Sequence, residues 1–288
     1  MKATNRAEKI AFYYLASVPF LTIAIGFGIG HSPARVYIPV WMVHTCVVLL
    51  LLRRINGGNA GAAGYSGRVG YSGGGGRWSL PGYLLVFPWV LFSIFAGFGP
   101  PPSTAQAWVG SMGEQETRYL ILVAGGICAG TGFCLLKELT ATTAGARYST
   151  IAMALVSISI PLFIINMLYW GFFLSASFQS FVSRGAASKP DWYIAVRELF
   201  YWVDSVQLSL FYMATALFAV AFKAAGFFKR LPSNIYIVIC FIAMLCSLLP
   251  PGVPAPFDTI AYITAVPAIG FIMPYLMGLN LIRASKDA

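Results

Sequence analysis

The sequence predicts an all-α fold: a polytopic transmembrane helical bundle of about eight spans, with both termini in the cytoplasm. Three observations lead there. Of 288 residues, 58% are apolar and only 10% are charged, whereas a soluble domain carries about 25% charged residues. The apolar residues form long runs separated by charged segments. Lys and Arg crowd into alternate connecting segments. Together these exclude a soluble enzyme, a disordered chain and a coiled coil. An outer-membrane barrel is excluded too, because its signature is short segments of alternating polarity.

A spanning helix needs about 20 mostly apolar residues. The first span is expected over about 10–30, after Lys2, Arg6 and Lys9. Its run is longer than the apolar core of a signal peptide and no A-x-A site follows, so it is expected to stay in the mature chain. The second, 37–52, ends on Arg53 and Arg54, and the third, 81–99, follows Arg77 and contains Pro88. The fourth, 119–136, lies between Arg118 and Lys137 and reads AGGICAGTG at its centre. Gly126 and Gly130 there form a small-xxx-small pair, which lets helices approach closely. The fifth, 149–174, starts after Arg147 and carries Pro161 and Asn166. The sixth, 197–222, stops at Lys223; the seventh, 234–249, follows Lys229 and Arg230; the eighth, 258–282, contains Pro267 and Pro274 and stops at Arg283.

Fourteen Lys and Arg residues fall in one alternate set of connecting segments and five (Arg35, Arg118, Arg184, Lys189, Arg197) in the other. The positive-inside rule places the larger set in the cytoplasm. The net charge of +10 then reflects topology and anionic lipid headgroups, and nucleic acid is not an expected partner. The chain reads as a single membrane domain, 1–288, with a flexible Gly-rich cytoplasmic loop over 53–80. That loop lacks the Gly-Lys-Ser/Thr ending of a phosphate-binding loop.

Little conventional chemistry is visible. Two histidines, no H-E-x-x-H and no G-x-S-x-G motif leave haem, metal and hydrolase chemistry without ligands or nucleophiles. No lysine lies mid-span in the late helices to anchor a retinal. The five cysteines all fall inside spans, which argues for packing rather than disulfides. No enzyme, cofactor or metal is expected. The informative residues are helix breakers and intramembrane polar groups. Pro19, Pro39, Pro88, Pro161, Pro267 and Pro274 lie within spans and predict kinks. Gly26, Gly28 and Gly30 alternate near the end of the first span. A helix broken there would offer free backbone N–H groups to a substrate carboxylate; the plain alternative is a helix end. Asp204 is the clearest carboxylate within a span, and Gln207 shares its face. A buried charge in a bilayer is costly and is by default a functional hypothesis; the plain alternative is that Asp204 lies at interface depth beside the belt residues Tyr201 and Trp202. Asn166 and His44 are further candidates, each also explicable as an interhelical hydrogen bond.

Several stretches resemble one family. Thr4-Asn5-Arg6 leads into a Gly-rich span and then VYIPVWMVHTCVVLLLLRR. LSLFYMATALFAVAFKAAGFFKRLPSN, 208–234, is a late span followed by a basic loop, and PAIGFIMPYLMGLNLIRASK, 267–286, is a closing helix with a basic end. These resemble the B-subunit permeases of spore germinant receptors, in the amino acid–polyamine–organocation transporter superfamily. Members of that family usually have ten spans and are longer, whereas this chain shows eight, and its residues over about 55–148 depart from the family's pattern. The resemblance implies a cell-membrane protein that binds a small polar ligand such as an amino acid, as a transporter or as a nutrient-sensing subunit beside other receptor subunits. Gly26, Gly28, Gly30, Asp204, Gln207, Asn166 and His44 are the expected binding residues. An accessory subunit of a larger membrane complex and a lipid-modifying enzyme are the alternatives.

Overall fold

A computed structural model describes residues 6–56, 76–185, 191–250 and 253–285. Among these residues there is no strand. Seven helices are long and apolar enough to cross a membrane, or eight if one bent pair is a single span. The protein is therefore an all-α, polytopic integral membrane protein. Large apolar side chains such as Phe20, Val43, Leu50, Ile127, Ile158 and Phe241 are exposed, as a lipid-facing surface requires. The Gly-rich segment expected over 53–80 lies mostly outside the described residues, and its two ends, 53–55 and 76–80, are helical.

Cα packing groups the chain into two compact units. The first comprises residues 1–100 and 274–288. It contains α1 (Arg6–Ile29), α2 (Ala34–Ile55), α3 (Gly76–Phe92) and the short α4 (Phe95–Phe98), together with most of α12 (Ile272–Ala284). α1 packs against α2, α3 and α4. α3 and α12 come close enough that their backbones face each other. A Cβ on Gly278 would lie 2.7 Å from the Gly82 carbonyl oxygen, and one on Gly82 would lie 3.0 Å from that of Gly278. Only glycine fits on both sides of such an approach. Around it, the Tyr275 hydroxyl donates to the Leu15 carbonyl (2.7 Å), Arg283 lies over the Phe12 ring and the Ser285 hydroxyl bonds the Asn56 side chain. The α1–α2 turn is held by the Ser32 amide donating to the Gly97 carbonyl.

The second unit, residues 101–273, holds α5 (Ala105–Gly110), α6 (Met112–Thr140), α7 (Ala146–Leu168), α8 (Leu174–Ser183), α9 (Asp191–Ala224), α10 (Arg230–Ser247) and α11 (Phe257–Ala265). α9 is its pillar: its apolar window is 72% buried, against 28% for α10. It lies between α7 and α10, and α6 packs on α7. The reason is in the sequence of α9. Ala214, Ala219 and Ala221 are fully buried, and such small residues let neighbouring backbones come near. Phe218 stacks on Phe133 of α6, and Phe211 meets Phe133 and Phe271 edge-on or tilted. Gly126 and Gly130 serve the packing role expected of them, against Phe163 and Ile160 of α7.

Two kinds of difference from the sequence reading have physical causes. Several helices outrun their apolar cores. α6 begins at Met112 rather than 119, and the fifth span runs on to Ser183, because polar residues are tolerated at helix ends in the interface. Arg118, counted above as a loop charge, is thus inside α6 and buried. Most of the breaks lie away from the prolines. α1, α2, α3, α7 and α12 remain helical through Pro19, Pro39, Pro88, Pro161 and Pro274. One interruption, Val266–Ala268, contains Pro267 as expected; the others fall at Ser93–Ile94 and in a five-residue π turn, Tyr169–Phe173, joining α7 to α8.

Candidate functional site

α9 puts Asp204 and Gln207 on one face, three residues apart, and α7 presents Asn166 to them. The Asn166 amide Nδ2 donates to Asp204 Oδ1 at 2.7 Å, and Gln207 Nε2 donates to the same oxygen at 2.9 Å. Three of the expected residues therefore form one cluster. Asn166 and Gln207 are fully buried, while Asp204 is half-buried. Two turns before Asn166, the buried Ser159 hydroxyl donates to the Gln207 backbone carbonyl at 2.8 Å. This pins the register of α7 against α9. Both amide donors converge on Oδ1, and Oδ2 takes no hydrogen bond from any described residue. The side-chain oxygen of Asn166 is buried and also unpartnered.

That arrangement has a definite chemical meaning. Two neutral donors stabilise a carboxylate by roughly 1.5–3 kcal/mol each, which offsets a mid-bilayer charge cost of roughly 3 kcal/mol or more. Among the described residues no ion pair to it is formed, and Arg197, seven residues earlier on α9, is exposed. The carboxylate thus has one oxygen engaged and one without a partner among the described residues. The π turn starts three residues after Asn166. π turns inside α-helices occur frequently at functional sites, because the extra residue re-aims the side chains around it. Its Gly171 is required by packing, since a Cβ there would lie 2.6 Å from Cβ of Tyr119 on α6.

No family model, curated protein or solved structure matches this chain.

The other expected residues lie in the first unit. His44 is half-buried on α2, where its Nδ1 bonds the Tyr14 hydroxyl of α1 at 3.1 Å. The three glycines do not break a helix. α1 runs unbroken to Ile29, and Gly30, with φ +77°, turns the chain into Ser32-Pro33 and α2. The expected break is the helix end. Gly26 is buried against the Phe95 carbonyl, whereas Gly28 has nothing within 4 Å of where a Cβ would stand. Gly28→Leu should therefore be tolerated. It replaces an exposed glycine in the last turn of α1 with a better helix former, a gain of at most about 0.8–1 kcal/mol, so the purified variant should unfold at the wild-type temperature or above. A variant that inserts normally and loses ligand response would return Gly28 to a binding role.

Sequence reasoning missed Tyr14, Ser159 and the π turn. Ser and Tyr are too common in spans to stand out singly. The run Tyr169-Trp170-Gly171-Phe172-Phe173 offered the one usable signal, a glycine set among four aromatic residues.

Proposed function

We propose that this protein is a cell-membrane binding protein or transporter for a small polar metabolite carrying an ammonium group, an amino acid being the simplest case. Asp204 supplies the charge, and Asn166 and Gln207 orient it. The observation that carries this reading is a carboxylate inside a spanning helix with one oxygen held by two amides and the other free. A structural carboxylate would be expected to use both oxygens within the protein. The resemblance of the N- and C-terminal stretches to spore germinant receptor permeases points to the same ligand class, and to a role as a nutrient-sensing subunit with other receptor subunits as partners.

The test is Asp204→Asn, purified beside wild type and screened against the common amino acids by thermal unfolding. Asparagine keeps the size and an acceptor oxygen. A ligand at a hundred times its Kd stabilises its target by about 2.7 kcal/mol, and that shift should be present in wild type and absent from the variant. A variant that shifts as wild type does sinks the reading, as does a wild type that none of the amino acids stabilises.

A further inference from the structure

We infer that the first unit carries a second binding site, open to the bilayer, for the head group of a neutral membrane-soluble carbonyl compound of the quinone class. The site is a cleft of about 320 Å³ between α1, α2 and the Ser93–Gly97 segment. It is independent of Asp204: every lining residue belongs to the first unit.

Access is the first argument. The outer walls are Leu21, Ile25, Ile29, Val36 and Val40, each at least 42% exposed. These side chains belong to membrane-spanning helices, so the mouth opens to lipid. A ligand arrives there by lateral diffusion within the bilayer.

Depth and charge narrow the ligand. His44 is ten residues from the start of α2 and eleven from its end. At 1.5 Å per residue it lies about 15 Å from either end, the middle of a core about 30 Å thick. The lining contains no Asp, Glu, Lys or Arg. A phosphate, a carboxylate or a glycerol head would have to leave the interface and shed its water to reach His44, with nothing to compensate. A neutral ring with carbonyl groups loses far less. The volume, at the small end of the usual range of about 300–1,000 Å³, suits a head group and not a whole lipid.

The polar floor completes the match. His44 Nδ1 is engaged by Tyr14, and its Nε2 has no partner among the described residues. In a neutral imidazole one nitrogen donates and the other accepts. The Tyr14 hydroxyl accepts when Nδ1 carries the proton and donates when it does not. The pair therefore presents either an acceptor or a donor at Nε2. A quinone carbonyl requires the donor, and its reduced hydroxyl form is served by either. Trp41 and Ser93 also line the cleft, but the Trp41 indole N–H is already spent on Ser93 Oγ and the Val90 carbonyl. Thr22 Oγ1 donates to the Val18 carbonyl, and Ser32 and Tyr37 line the cleft at its α1–α2 turn end, which leaves His44 as the hydrogen-bonding group at mid-membrane depth.

The experiment is equilibrium binding of a radiolabelled decyl-benzoquinone to the full chain in lipid nanodiscs. Binding should saturate at one site per chain. His44→Leu should weaken it by about tenfold, the equivalent of one hydrogen bond of roughly 1.4 kcal/mol, and His44→Gln, which restores a donor, should recover most of it. Excess diacylglycerol and oleic acid should fail to compete. Non-saturable uptake, equal binding by His44→Leu, or displacement by diacylglycerol or oleic acid would each overturn the assignment. Thermal unfolding of the Leu variant at the wild-type temperature separates lost binding from lost fold.

Discussion

Gly278→Val should lower the unfolding temperature of the purified protein more than any other single change considered above. The Cβ alone would stand 2.7 Å from the Gly82 carbonyl oxygen and 3.0 Å from the side chains of Leu85 and Val86. Valine adds two branches to it. The opposing atom is backbone, so no rotamer change relieves the contact, and α3 must move off α12. Overpacking a core costs roughly 1–3 kcal/mol and occasionally more. Here the upper end applies, because separation also strains the Tyr275–Leu15 bond. A loss of about 3 kcal/mol lowers the melting temperature of a chain this size by roughly 6–12 °C. Gly113→Val, in α6 with nothing within 4 Å of a Cβ, is the control and should leave the temperature within a degree or two of wild type. Equal melting of Gly278→Val and wild type would show that α3 and α12 do not meet at these glycines.

The second large effect is expected at Asn166→Leu. It removes one of the two donors to Asp204 Oδ1 and leaves the carboxylate on Gln207 alone. A hydrogen bond to a charged group contributes roughly 1.5–3 kcal/mol, and the loss should appear in thermal or detergent-driven unfolding. The informative step is the combination with Asp204→Asn. Once the charge is gone the lost bond is an ordinary neutral one, worth roughly 0.5–1.5 kcal/mol, so the double variant should be more stable than the sum of the single effects predicts. A coupling of about 1–2 kcal/mol is within the range for residues sharing a network. Strict additivity would mean that Asn166 stabilises α7 for reasons unrelated to the carboxylate.

Hydropathy made the fold class readable, because transfer of an apolar run into lipid requires no knowledge of its neighbours. The limits of helices were less so. Met112–Arg118 and Ser175–Ser183 are too polar to register as span, yet their backbones continue the helical hydrogen bonding begun by adjoining apolar residues. The Asp204–Gln207 pairing was legible from spacing on one helix. Its third member was visible as a polar residue in a span, but its partnership with residues 38 positions away depends on the register of α7 on α9, which Ser159 and the small residues of α9 determine jointly. Tyr14 and His44, 30 positions apart, were hidden for the same reason. The three glycines misled because a glycine-rich helix end and a glycine-rich helix break share a composition; what separates them is the positive φ at Gly30 and the Ser32-Pro33 that follows.

The first unit is discontinuous: α12 joins α1, α2 and α3 only after the whole of the second unit has been made. During synthesis α3 enters the membrane with Gly82 facing no partner, and the Leu15 carbonyl waits for the Tyr275 hydroxyl. A nascent chain that ends before residue 274 therefore lacks the helix that completes its first unit. The first unit cannot complete its packing co-translationally from its N-terminal helices alone and must close post-insertion, after the second unit has been synthesised.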